Sequence, residues 1–127
     1  MSNIELIPLV SFPKSGNTWF RFFLSNIYKR NSALKVDFSN INQFTCTSFC
    51  SEFSQIGRQL VDNAPVFIKQ HGSYERISNT DFGKVIYIYR NGFDMLYSYW
   101  HFTEARSPGL FKDIYDFADC YQMYCGH

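Results

Sequence analysis

Val10-Ser11-Phe12-Pro13-Lys14-Ser15-Gly16-Asn17-Thr18-Trp19 is the stretch on which the reading of this chain turns. An apolar run, Ile4-Glu5-Leu6-Ile7-Pro8-Leu9-Val10, leads into it, and a helical pattern from Trp19 to Tyr28 leads out. A short continuous apolar run before a loop suits a buried parallel strand, here about Ile4 to Ser11. Strand, polar loop and helix form the layout that gathers phosphate oxygens onto backbone N–H groups at a helix amino end. Lys14 offers a compact positive charge. Gly16 lets the backbone bend tightly and approach a ligand closely. Ser15, Asn17 and Thr18 add short hydrogen-bonding side chains, and Asn17 or Thr18 can cap the helix. Trp19 presents a flat face on which an aromatic base can stack. The triphosphate signature G-x-x-x-x-G-K-[ST] is absent, because no glycine precedes Lys14 at the required places. The loop is a phosphate cradle of another kind.

Outward from the loop, the first helix is expected over about Thr18 to Lys29, with Lys29 and Arg30 in its last turn. Phe20, Phe23 and Ile27 recur at three-to-four spacing and are expected to pack against the sheet. Leu34 to Asn63 is rich in turn-forming and capping residues, with a helix expected over about Ser51 to Val61. Pro65-Val66-Phe67-Ile68-Lys69-Gln70-His71-Gly72 reads as a second strand whose apolar residues end abruptly at Lys69. Ligands of open α/β sheets gather at the carboxyl ends of strands. Lys69 and His71 therefore fall beside the first loop if the two strands are parallel neighbours. Ser73 to Gly83 carries turn signals. Lys84 to Arg90 is the clearest strand, being β-branched and aromatic. Asn91-Gly92 makes a turn, and Asp94 to Phe102 reads as a helix with Asp94 in its first turn. Arg90 then stands at a strand's carboxyl end, where its planar fork suits phosphate oxygens, and Ser98 can add a hydroxyl. A last helix is expected over about Leu110 to Cys120.

Composition bounds the possibilities. The chain has 127 residues, enough for one domain, and 46% are hydrophobic, so it can bury a core. A formal net charge of +1 gives no general polyanion-binding signal, so any anion site is local and nucleic acid is not expected as a partner. No secretory signal is visible and no apolar run is long enough for a membrane span, which makes the cytoplasm the expected compartment. The four cysteines, Cys46, Cys50, Cys120 and Cys125, are expected to be reduced thiols. Cys120, Cys125 and His127 match no common zinc spacing, and no metal is expected.

Pro13-Lys14-Ser15-Gly16-Asn17-Thr18-Trp19 closely resembles the 5′-phosphosulfate loop of cytosolic-type sulfotransferases, P-K-S-G-[TN]-T-W. Arg90-Asn91-Gly92-Phe93-Asp94-Met95-Leu96-Tyr97-Ser98-Tyr99-Trp100-His101-Phe102 resembles that family's 3′-phosphate motif, R-N-P-x-D-x-x-x-S-x-x-x-F, with Gly92 where proline is usual. Phe67-Ile68-Lys69-Gln70-His71 resembles its K-T-H segment, with Gln70 in place of threonine. The three motifs occur in the family's order and cover roughly Ile4 to Phe102.

The resemblance implies a P-loop-like α/β/α fold around a parallel sheet, a single domain over residues 1–127 forming the amino-terminal portion of the family fold. It implies sulfuryl transfer from 3′-phosphoadenosine 5′-phosphosulfate (PAPS) to a hydroxyl or amine of a small-molecule acceptor, leaving 3′-phosphoadenosine 5′-phosphate (PAP). Lys14, Ser15, Gly16, Asn17 and Thr18 would bind the 5′-phosphosulfate, Trp19 would stack on adenine, and Arg90 and Ser98 would hold the 3′-phosphate. His71 would be the general base, with Lys69 and Lys14 stabilising charge on the transferring group. In-line transfer of this kind needs positioning and fixed positive potential more than covalent help, and a neutral imidazole suits the proton removal. Family members are usually considerably longer, and their closing R-K-G-x-x-G-D-W segment is absent here. The chain is therefore expected to be a fragment, a shortened protein, or one part of an assembly, with self-association or a partner supplying the rest. The alternative readings are a nucleotide-binding module without turnover and a P-loop-type small-molecule kinase. The acceptor itself is not legible.

Overall fold

The computed structural model describes residues 4–47, 53–71 and 82–125, with side chains undescribed at 53–54 and 121–125. The chain forms two compact units. The larger holds the residues up to Phe12 together with Gly16–Tyr89; the smaller holds Pro13–Ser15 and the residues from Arg90 onward.

The larger unit is built on four parallel strands in the order β2-β3-β1-β4. They are β1 (Leu6–Ser11), β2 (Thr45–Cys46), β3 (Val66–Gln70) and β4 (Ile86–Ile88). β1 is central, with Leu6 opposite Val66 and Val10 opposite Gln70 on one side, and Leu9 opposite Ile86 on the other. The expected parallel neighbours are therefore neighbours. β2 was not anticipated: Thr45-Cys46 lies in a stretch of turn-forming residues, yet it pairs with Phe67 and Ile68. Two residues are too few to show a period in sequence.

Strand alternation divides the core. Val66 and Ile68 join a cluster with Val36, Ile41, Phe44, Cys46, Ile56 and Leu60. Ile7, Leu9 and Phe67 join a second cluster with Leu24. Leu24 belongs to helix α1 (Asn17–Tyr28), and Ile56 to α2 (Phe53–Gln59).

A proline inside a central strand ordinarily costs a ladder bond. Pro8 avoids most of that cost. The Val66 N–H donates to the Glu5 carbonyl, so the odd-numbered residues of β1 direct their backbone groups toward β3. Pro8 then faces the β4 side, where pairing starts only at Leu9.

Helix α1 departs from expectation in three ways. It ends at Tyr28, and Lys29 and Arg30 lie outside it. Lys29 instead bridges Leu60, and its Nζ donates to the Leu34 carbonyl at 2.8 Å. The buried face is Asn17, Arg21, Leu24 and Ser25, while Phe23 and Ile27 are 48% and 54% exposed. Polar residues turn inward because they find partners there, which hydrophobic spacing alone does not register. The capping expectation for Asn17 and Thr18 also fails: the N-cap is Gly16, and no side chain caps the helix.

The smaller unit carries α3 (Gly92–Arg106) and α4 (Ile114–Cys125). α3 runs four residues beyond the expected Phe102. Asn91 caps it, accepting from the Phe93 N–H at 2.9 Å and more distantly from Asp94 N–H. α4 starts four residues later than expected, because Asp113 caps it through the Tyr115 and Asp116 N–H groups. Buried Phe117 anchors α4 against Tyr99 and Phe111, with ring centroids at 5.6 and 5.2 Å. The turn expected over Ser73 to Gly83 lies largely outside the described residues.

Candidate functional site

In the larger unit, the carboxyl end of β1 is a polar centre. Ser11 closes the strand and is buried. Asn17, the first residue of α1, reaches back across the loop. Its Nδ2 donates to the Leu9 carbonyl at 2.9 Å and to Ser11 Oγ at 3.0 Å. Both amide hydrogens are thus used, and Asn17 Oδ1 is buried without a partner. His71 follows β3 and meets the same strand end: its Nδ1 lies 2.9 Å from the Ser11 carbonyl and 3.4 Å from Ser11 Oγ. Ser11, Asn17 and His71 form one hydrogen-bonded group.

Gly16 has φ 104°, and a Cβ built there would meet nothing within 4 Å. The backbone above it is open. With no side-chain cap, the first N–H groups of α1 have no intrahelical partner. Trp19 is 70% exposed and stacks nearly parallel to Phe23 at 5.9 Å.

Lys69 lies near the end of β3, half-buried. Burial holds its ammonium below the ordinary lysine value, and the Arg21 charge pushes it further the same way. Arg21 is 4% exposed, with Nε donating to Thr45 Oγ1 at 2.8 Å and Nη2 to Asn42 Oδ1 at 2.6 Å. Burial lowers its guanidinium from the usual value, opposed by attraction to Cys46. Two cations therefore share this side of the sheet, and Arg21's bonded partners are neutral oxygens.

In the smaller unit, Lys14 adopts a left-handed backbone, φ 64°, which is uncommon for a side chain with Cβ. Its Nζ lies over the Phe102 ring, 4.3 Å from the centroid, as does the Arg106 guanidinium at 4.2 Å. Arg90 is exposed, with Nη1 3.4 Å from the Lys14 carbonyl, a long contact. Ser98 sits in the second turn of α3, half-buried. Ser15 is buried and Thr18 exposed.

Sequence reasoning passed over Ser11, Arg21 and Phe102 as working residues. Ser11 carried a signal: it is the polar residue that closes an apolar strand just before the loop. Arg21 carried none, since an arginine in a helix is ordinarily a surface residue.

Among the described residues no group of three or more His, Cys, Asp or Glu could hold a metal ion, and no helix is long and apolar enough to cross a membrane. Cys46 and Cys120 are thiols, not half-cystines.

A parallel α/β sheet with a glycine-bearing loop between an interior strand and an uncapped helix defines an α/β protein of the P-loop-like kind. More particularly, the chain belongs to the sulfotransferase domain family, whose model matches residues 6–127. No solved structure matches the chain.

Proposed function

We propose that the chain transfers a sulfuryl group from PAPS to a hydroxyl or amine of a small-molecule acceptor. The observation that carries this reading is the uncapped amino end of α1 behind Gly16, in a chain of this family. α3 and α4 satisfy their first N–H groups with Asn91 and Asp113, whereas α1 leaves its own available. Open space over Gly16 lets an anion approach that backbone.

The residues present fit the donor. Backbone N–H groups from Gly16 to Thr18, with Ser15 and the Lys14 ammonium, would hold the 5′-phosphosulfate. Asn17 would contribute through its main chain, because both hydrogens of its amide are committed. Trp19 would stack on adenine, and Arg90 and Ser98 would bind the 3′-phosphate. The donor supplies an activated sulfuryl group on a phosphate leaving group. His71 would take the proton from the acceptor as its oxygen or nitrogen bonds to sulfur. Lys69 and Lys14 would stabilise the negative charge left on the departing phosphate.

The test is transfer of labelled sulfate to a panel of phenols, alcohols, amines and sugars. His71→Ala is expected to abolish turnover while PAP binding, followed by isothermal titration, persists. Full turnover in that variant removes His71 from the base role. Stabilisation by ATP but not by PAP in a thermal-shift comparison overturns the nucleotide reading.

A further inference from the structure

We infer that Asn17 is a positioning residue that acts through Ser11 to fix which nitrogen of His71 is basic. The inference deepens the proposed function and rests on its assignment of His71 as base. A carbonyl oxygen can only accept, so at 2.9 Å from the Ser11 carbonyl the His71 Nδ1 carries the proton. In the neutral ring that leaves Nε2 with the lone pair. The competing arrangement has the Ser11 hydroxyl donating to Nδ1. That contact is 3.4 Å, too long to win against the carbonyl.

The strand end is itself held. Asn17 bonds the Leu9 carbonyl and Ser11 Oγ with the two hydrogens of one nitrogen, so it grips β1 at two alternate residues. Its amide orientation is forced, because turning it over would set Oδ1 against the Leu9 carbonyl. The orphaned Oδ1 is the consequence of that choice. With Ser11 Oγ accepting from Asn17, the serine side chain is held by a donor other than the imidazole. The Ser11 carbonyl is left as the imidazole's nearest partner. Ser11 and Asn17 come from β1 and α1, and His71 is the residue directly after β3, so the group also ties these three segments together.

The test reads the imidazole directly. Long-range proton–nitrogen NMR on the nucleotide-free protein, in the alkaline range where imidazoles are neutral, reports the tautomer of His71. Protonated Nδ1 and unprotonated Nε2 are expected; protonated Nε2 in the wild type overturns the inference. In Asn17→Ala the Nε2-protonated form is expected to appear. The kcat is expected to fall about 10- to 100-fold, as for lost outer-shell partners of ligating histidines, with KM for donor and acceptor nearly unchanged. An unchanged tautomer and kcat in that variant overturn the role of Asn17. The wild-type spectrum decides the tautomer even if the variant fails to fold. Full turnover in His71→Ala would instead remove His71 from the base role, leaving the spectroscopic result to stand by itself.

Discussion

Lys14 shows how one residue can be placed against its own preference. A left-handed backbone costs an L-residue roughly 1–2 kcal/mol, and only glycine visits it freely. Lys14 holds that conformation at φ 64°, two residues before Gly16, with its ammonium over the Phe102 ring. Backbone strain of this kind clusters at functional sites, which agrees with the donor-binding role proposed for this loop. Both Lys14→Ala and Lys14→Gly should lose nucleotide affinity, but the glycine variant should be about 1 kcal/mol the more stable of the two in urea unfolding.

Lys69 makes a second residue-scale prediction, about pH. Its folded-state value lies below that of an unfolded lysine, through burial first and Arg21 second. The unfolded chain therefore binds more protons across the interval between the two values, and stability rises with pH there. At neutral pH the charged Lys69 subtracts from stability, and the penalty fades as pH climbs through the lysine range. Lys69→Met should accordingly melt higher than the wild type at neutral pH, with the gap closing in alkali. Scanning calorimetry over a pH series measures this. Saturating PAP should narrow the neutral-pH gap, because the ammonium then has an anion to face.

At the scale of elements, the helix amino ends divide by their caps. Asn91 satisfies two N–H groups of α3. Asn91→Ala should cost about 1 kcal/mol, within the usual span for lost caps, and denaturant midpoints would show it. The strands that form β1, β3 and β4 were legible because each is a run of apolar residues ended by a polar one. Their parallel arrangement came with the family resemblance, because only turn signals were read between the second strand and the third. The Pro13–Trp19 loop was legible because its residue types each have one conformational or chemical use. What escaped were features set by tertiary partners. The inward turn of Asn17 and Arg21 depends on the Leu9 carbonyl, Ser11, Thr45 and Asn42. Hydrophobic spacing gave Phe23 and Ile27 to the core, and they are exposed, because those hydrogen bonds rotate the helix to a different face. The pair Thr45-Cys46 became a strand only by lying beside Phe67 and Ile68.

At the scale of the whole molecule, two compact units share one chain, and the loop between β1 and α1 contributes residues to both. If the proposed nucleotide is bound by the folded chain and not by the unfolded one, PAP should raise stability by about 2.7 kcal/mol at a hundredfold excess over its dissociation constant. Hydrogen exchange would resolve where that protection falls. Slowed exchange at Gly16–Trp19 and at Arg90–Ser98 is the expected pattern; protection confined to one of the two stretches would count against a ligand held at both phosphates.

Pro8 has a consequence for how the sheet chooses its alignment. β4 pairs over only three residues, short enough that a two-residue slide would ordinarily cost little. Sliding toward the amino end of β1 would bring a carbonyl against the one position that has no hydrogen to offer. The imino acid thus acts as a doorstop, and the short strand is driven up to the end of β1 that leads into the loop. Exchanging it for valine should leave the core filled yet let misaligned pairings compete during folding.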